Sequence, residues 1–196
     1  MAFTLRLADT KNDVAQILSI YAPYILNTTV TFEYEVPSIM AFERRIEQIS
    51  NQFPWLVCEQ SGQIIGYAYA SKQYERAAYA WNAELSVYVA LKAQGMGIGT
   101  ALYQALIGLL KMQGYCNVSV RIQIPNEKSV ALHRAFGFEE AGIMRSIGNK
   151  FGRWLDMLSM TKQIGEYVPS PQPPIAVTAL DRNKIRLLLS ECAQQK

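Results

Sequence analysis

The chain has 196 residues, half of them hydrophobic and 18% charged, a length that suits one compact domain plus a remainder. Its 19 basic and 16 acidic side chains leave a net charge of only +3, too little for a sequence-independent nucleic-acid binder. Three cysteines without a C-x-x-C pair and a single histidine, His133, argue against a disulfide scaffold and against a zinc site, so a reducing compartment and no metal are expected.

Residues 3–7 alternate apolar and polar side chains as a strand does. Val14, Ile17, Leu18, Tyr21 and Ile25 then follow helical spacing, with Thr10 or Asp13 as the cap. A second helix follows Pro37, with Ser38 as its cap and Ile39, Phe42, Ile46 and Ile49 as its apolar stripe. Residues 55–59 and 63–71 read as a hairpin across Ser61-Gly62, and 84–89 as a further strand. A glycine-rich loop, Gln94-Gly95-Met96-Gly97-Ile98-Gly99, leads into a strong helix that Gly114 closes. Next come a strand over 117–122, a short helix from Pro125-Asn126 to about Phe136, and two strands over 139–146 and 153–162 joined by residues 148–152. This order predicts an α/β fold: a mixed sheet with helices on both faces.

Four prolines between Val168 and Pro174 then mark a semi-rigid spacer, and residues 179–193 read as a helix capped by Asp181. The expected division is a domain over residues 1–165, a spacer over 166–178 and a helical extension over 179–196. Arg6 and Asp9 interrupt what an export signal would need as an apolar run, and the most apolar stretch, residues 100–110, is too short to span a bilayer. A cytoplasmic protein with no membrane partner is expected.

Glycines at 95, 97 and 99 between a strand and a helix turn backbone N–H groups and a helix N-terminus toward an anion. Thr100 stands where a dinucleotide fingerprint needs glycine, and no lysine follows Gly99 as a P-loop requires. Glu84, Ser86 and Tyr88 share one face of their strand, opposite the apolar Leu85, Val87 and Val89. A carboxylate on that polar face fits a general base, or a salt-bridged strand glutamate. His133 fits a proton donor or acceptor and, equally by spacing, a packing residue.

Gln94-x-x-Gly97-x-Gly99 resembles the acyl-CoA loop of the GCN5-related N-acetyltransferases (GNAT family). Asn126-x-x-Ser129-x-x-x-His133 followed by Phe136-Gly137-Phe138 resembles the helix that faces the pantetheine thiol in that family. Thr31-Phe32-Glu33, Trp55, Gly66-Tyr67-Ala68, Arg76-x-x-Tyr79-x-Trp81, Glu84-x-Ser86-Val87-Tyr88-Val89 and Gly152-x-Trp154-x-Asp156 are similar to its phosphinothricin and methionine-sulfoximine acetyltransferase branch. The similarity covers residues 3–163 and departs at the loop, where Gln94 replaces the commoner Arg and only Lys92 remains of the preceding basic residues.

The resemblance implies a mostly antiparallel sheet with a splayed central strand pair, acetyl-CoA as cosubstrate and a homodimer. It implies Glu84 as base and gives His133 a catalytic place as acid, base or positioning group. For the cofactor it implies the backbone of Val87, Tyr88 and Val89, the loop Gln94, Gly95, Met96, Gly97, Ile98, Gly99 and Thr100, and also Asn126 and Ser129. For a small anionic amino-acid analogue as acceptor it implies Phe32, Lys72, Arg76, Tyr79, Tyr88 and Tyr103, with Trp81 as a further wall. Another amine as acceptor, or a CoA-binding module without turnover, are the alternatives.

Overall fold

The alternating and helical segments take their places in one seven-stranded sheet and five α-helices in the computed structural model, which describes residues 3–194. Chain order gives β1 (Thr4–Leu7), α1 (Val14–Asn27), α2 (Ile39–Ser50), β2 (Trp55–Gln60), β3 (Gln63–Lys72) and β4 (Asn82–Val89). It continues with α3 (Ile98–Gln113), β5 (Asn117–Ile124), α4 (Glu127–Ala135), β6 (Glu139–Lys150), β7 (Arg153–Gln163) and α5 (Arg182–Gln194). The strands lie in the order β1-β2-β3-β4-β5-β7-β6, and β4 and β5 form the one parallel pair among them.

Alternation along the strands separates two cores. On one face α1 and α2 bury Ile17, Ile25, Phe42 and Ile46 against Trp55, Val57 and Tyr67. Trp55 and Tyr69 stack there with centroids 4.2 Å apart, and Tyr67 stacks on Tyr88 at 5.2 Å. On the other face α3 presses Leu102, Leu106 and Leu109 onto Leu56, Ala68, Leu85 and Val120. Gly66 brings α3 close, because a Cβ there would sit 2.9 Å from Ile98 Cγ2 at the start of that helix.

The parallel pair holds only at its base. Asn82, Ala83 and Glu84 pair with Asn117, Val118 and Ser119, and the register ends there although both strands continue. Each strand keeps its outer partner: β4 stays on β3 to Val89, and β5 stays on β7 to Ile124. Their inner edges therefore part while the outer ladders remain intact.

Tertiary pairing moved several predicted boundaries. β4 begins at Asn82 and β5 extends to Ile124. β6 and β7 run to Lys150 and from Arg153, so their connection is the two-residue turn Phe151-Gly152, both with positive φ, rather than residues 148–152. Asp13 occupies the N-cap of α1 without capping through its side chain. Its carboxylate instead accepts from Arg6 Nη1 and Nη2 at 2.5 and 2.9 Å and from the Asp9 amide at 2.7 Å.

The proline-rich stretch is tied across the base of the sheet. Trp81 Nε1 donates to the Gln172 carbonyl, Ile175 N to Gln113 O, and Val177 N to Gln52 O, at 2.9, 2.9 and 3.0 Å. Asp181 Oδ1 then caps α5 by accepting from Asn183 N and Lys184 N, and Ile185, Leu189 and Cys192 pack toward α3 and β1. Among the described residues, no helix is long and apolar enough to cross a membrane.

Candidate active site

The opening between β4 and β5 is the site's axis. Ala90 N donates to Ile65 O at 2.9 Å, which sets the alternation of the β3–β4 ladder. Glu84, Ser86 and Tyr88 thus exchange bonds with β3, whereas Val87 and Val89 aim their amides at the gap. This narrows the predicted backbone donors: the Tyr88 amide belongs to the ladder, and Val87 and Val89 hold the free ones. A cleft of ≈ 70 Å³ follows the gap, with Tyr103 and His133 on the α3 side, Ser86 and Tyr88 on β4, and Val30 from the connection between α1 and α2.

At the end of β4 the glycine loop turns into α3. Gly95 and Gly97 have φ of 79° and 78°, a left-handed backbone that glycine adopts without strain, and Gly97 is the N-cap of α3 with no side-chain cap. A Cβ on either would meet nothing within 4 Å, so the concave side is open to a ligand. The first-turn amides of α3 are the kind of donors an anionic diphosphate requires, with Ile98, Gly99 and Thr100 in that turn and Met96 exposed on the loop. The Gln94 side chain turns instead to α1, where its Nε2 donates to Tyr24 Oη at 3.0 Å while Tyr24 donates to Val89 O at 2.6 Å. Gln94 thus braces the loop and the end of β4.

Glu84 lies on the α1/α2 face, where the paired part of β4 and β5 ends. Both of its oxygens accept from Arg121, from Nε and Nη2, each at 2.6 Å. Glu84 is nearly covered, at 14% side-chain exposure, while Arg121 is half open at 53%. The sequence reading missed Arg121, although its signal was there: it alternates with the core residues Val120 and Ile122 and so shares the polar face of Ser119.

His133 is buried at 3% exposure on the opposite face of the sheet. Its Nδ1 lies 2.6 Å from the Ser129 carbonyl, which only accepts, so Nδ1 carries the hydrogen. Burial lowers the imidazole's pKa from 6.5 and favours the neutral ring, whose Nε2 then accepts from Tyr103 Oη at 2.8 Å. Burial also raises the Tyr103 phenol's pKa far above its usual value, with the Glu84 charge adding to the rise.

The other predicted site residues lie in several different settings. Tyr103 bonds His133 and lines the cleft together with Tyr88, whereas Phe32 lies against Gly148. Asn126 is the N-cap of α4, its Oδ1 accepting from Ser129 N at 3.2 Å, and Ser129 holds His133 chiefly through its carbonyl. Lys72 pairs with Glu75 at 2.8 Å. Arg76 is exposed beside a short 3₁₀ turn that also carries Tyr79, whose ring lies 4.7 Å from that of Tyr74.

Residues 28–37 cover the α1/α2 side of the gap and are pinned by side chains that the sequence did not single out. Thr29 donates to Gln123 Oε1 at 2.6 Å, and Glu33 accepts from Arg45 at 2.6 Å and from Tyr21 at 3.0 Å. Lys150, only 1% exposed, donates to the Thr31 carbonyl at 2.7 Å, and burial lowers its pKa. Phe32 lies over Gly148, where a Cβ would come within 2.2 Å of its ring. No periodicity marks a lysine that becomes buried only when two distant segments meet.

A sheet split at its parallel pair, a glycine loop feeding a helix N-terminus at one end of the split, and a carboxylate at its root are the architecture of an N-acetyltransferase. Residues 6–159 match the profile of the acetyltransferase (GNAT) domain, and the chain belongs to that family. It is 34% identical to the phosphinothricin N-acetyltransferase of Streptomyces viridochromogenes over 85% of this chain and 90% of that one. It is 36% identical to the L-methionine sulfoximine/L-methionine sulfone acetyltransferase of Pseudomonas paraeruginosa, over 76% and 87% of the two chains. A phosphinothricin acetyltransferase from Sinorhizobium meliloti, solved in complex with acetyl-CoA, superposes with a TM-score of 0.84 at 38% identity, covering 89% of this chain and 96% of that one.

Proposed function

We propose that the protein transfers the acetyl group of acetyl-CoA to the primary amine of a small anionic amino-acid analogue of the phosphinothricin or methionine-sulfoximine type. The observation that carries the reading is the β4–β5 opening, which joins the glycine loop to the face bearing Glu84. The donor set fits the cosubstrate: first-turn amides of α3 and the left-handed loop for the pyrophosphate, and unpaired β4 amides for the pantetheine arm.

Acetyl-CoA supplies the activated acyl group. The chain holds the amine and thioester together, which is worth ~7–11 kcal/mol when geometry is good. Glu84 takes a proton from the ammonium, directly or through one water, and Arg121 keeps the carboxylate oriented. The neutral amine attacks the carbonyl carbon, a C–N bond forms, and the Val87 or Val89 amide donates to the developing oxyanion. The C–S bond then breaks, and the proton that the new amide nitrogen sheds goes to the departing thiolate. A thiol pKa near ~8.5 makes the thiolate a fair leaving group that needs little acid assistance. His133, neutral and already accepting from Tyr103, is a positioning residue for that hydroxyl rather than an acid.

Arg76 and Tyr79 are assigned to the anionic group of the acceptor, and Phe32 and Tyr88 to its walls. A homodimer within the cytoplasm is part of the proposal: Ile143, Ile147, Phe151 and Trp154 lie exposed on the outer hairpin β6–β7, an apolar surface suited to a second copy. The catalytic domain of residues 1–165, followed by a spacer over 166–178 and an extension over 179–196, is supported by the family match ending at residue 159.

The test is thiol release from acetyl-CoA with a panel of amines: phosphinothricin, methionine sulfoximine, an amino sugar and a peptide with a free N-terminus. Turnover with the first two and little with the others is expected. Turnover only with the amino sugar or peptide would overturn the acceptor assignment, and tight acetyl-CoA binding without thiol release would overturn the enzyme reading. Sedimentation checks the dimer.

A further inference from the structure

A second groove opens beside the glycine loop. It has a volume of ≈ 1320 Å³ and runs between the edge strand β1 and helix α5, the helix lying beyond the residues matched by the family. Met96, Gly97 and Thr100 of the glycine loop and α3 close one part of it, and its two long walls are of different chemistry. One face of α5 supplies Arg182, Ile185, Arg186, Leu189, Ser190 and Ala193, recurring at helical spacing. β1 supplies the other long wall, and it is one of the two edge strands of the sheet.

The hydrogen-bond alternation shows what that edge presents. Ala8 N donates to Trp55 O at 2.8 Å, so Thr4, Arg6 and Ala8 exchange bonds with β2. The ladder on the far side of β2 agrees: Ala70 N donates to Pro54 O, which assigns Leu56 and Cys58 to β3 and leaves Val57 and Glu59 for β1. The amides and carbonyls of Leu5 and Leu7 consequently point away from the sheet into the groove. Arg6 Nη1 donates to the Leu7 carbonyl at 3.3 Å, and the outward groups of Leu5 have no protein partner among the described residues. Leu5 is only 7% exposed, so these groups sit on the groove's wall rather than on open surface.

We infer that this groove binds an extended peptide, which adds to β1 as a further strand beneath α5 and carries acidic side chains. Main-chain groups of such a strand complete the Leu5 hydrogen bonds, and its alternate side chains reach the apolar floor of Leu5, Ile185 and Leu189. A lipid chain would fill the floor but leave the Leu5 amide unpaired. The lining contains three arginines and no acidic residue. Arg6 is neutralised by Asp13 and Glu59, whereas Arg182 and Arg186 form no ion pair among the described residues. That charge selects an acidic strand and disfavours a second copy of the same edge, which would bring arginines against arginines.

The probe is a fluorescein-labelled hexapeptide alternating valine and glutamate, titrated by polarisation against the full chain. Saturable binding is expected, weakened about tenfold or more by Arg182→Glu with Arg186→Glu and by backbone N-methylation of the peptide. Ser190→Trp, at an exposed position of α5, should block the groove while circular dichroism stays unchanged. Absence of saturable binding would overturn the inference. So would equal binding of the N-methylated peptide, insensitivity to the arginine changes, or binding of dodecanoate in place of the peptide. Self-association abolished by Ser190→Trp, with no peptide binding, would assign the groove to a second copy and overturn it as well.

Discussion

The two faces of the sheet manage polar groups by different means, and they meet at the β4–β5 opening. The α1/α2 face gathers ionised side chains and pairs them: Glu84 with Arg121, Glu33 with Arg45, and buried Lys150 with a backbone carbonyl. The α3/α4 face keeps its reactive neighbourhood uncharged. There His133 and Tyr103 are buried and hydrogen-bonded to each other, and the anion site proposed beside them uses loop and helix amides. The contrast follows the chemistry proposed for each side. A charged amine must lose a proton on one face, while on the other a diphosphate needs donors that neither titrate nor require desolvation of a lysine.

The sharpest way to break this comparison is Glu84→Gln. Acetyl transfer at neutral pH should fall by ~10²–10⁴-fold, as for the loss of one general base, and the deficit should shrink at alkaline pH where free amine is plentiful. A deficit that stays the same across that pH range removes the base from the α1/α2 face. Arg76→Ala should raise the acceptor KM by about tenfold or more while barely changing that for acetyl-CoA, as expected for losing a charge-assisted bond. Equal increases in both would refute its acceptor role.

A matched pair of glycine substitutions tests whether the faces are separable. Gly148→Ala drives a methyl into the Phe32 ring and should raise the acceptor KM, whereas Gly66→Ala pushes on Ile98 at the start of α3 and should raise the acetyl-CoA KM. Each carries an overpacking cost of ~1–3 kcal/mol, which thermal unfolding would report. Crossed effects would mean that the faces are mechanically one unit.

The smallest expected effect concerns pH. The His133 pKa is lowered in the folded state, so below its ordinary value of 6.5 the unfolded chain binds the extra proton more readily. Stability should therefore decline as pH falls through 6.5 and level off below the folded pKa. His133→Gln should flatten that decline, and urea melts at several pH values would measure it. If the decline persists unaltered, burial is not what keeps this imidazole neutral.

Much of the architecture was legible in local patterns. The caps at Ser38 and Asp181, the hairpin at Ser61-Gly62, the αL stop at Gly114 and the glycine loop depend on nearby residues, so short-range chemistry suffices to place them. Glu84 and its face were readable because strand side chains alternate. Boundaries such as the β6–β7 turn were not, because cross-strand pairing extended both strands past the local signal.

The sequence by itself determined the element order, the glycine loop ahead of α3, the polar face of β4 and the family resemblance, all of which are encoded in spacing. Only the tertiary structure decided which amides of β4 are free, that Arg121 grips Glu84, that Lys150 is buried, and that Tyr103 bonds His133. Those facts arise where segments distant in sequence meet, and the burial and hydrogen bonding that decide them exist only after the sheet has assembled.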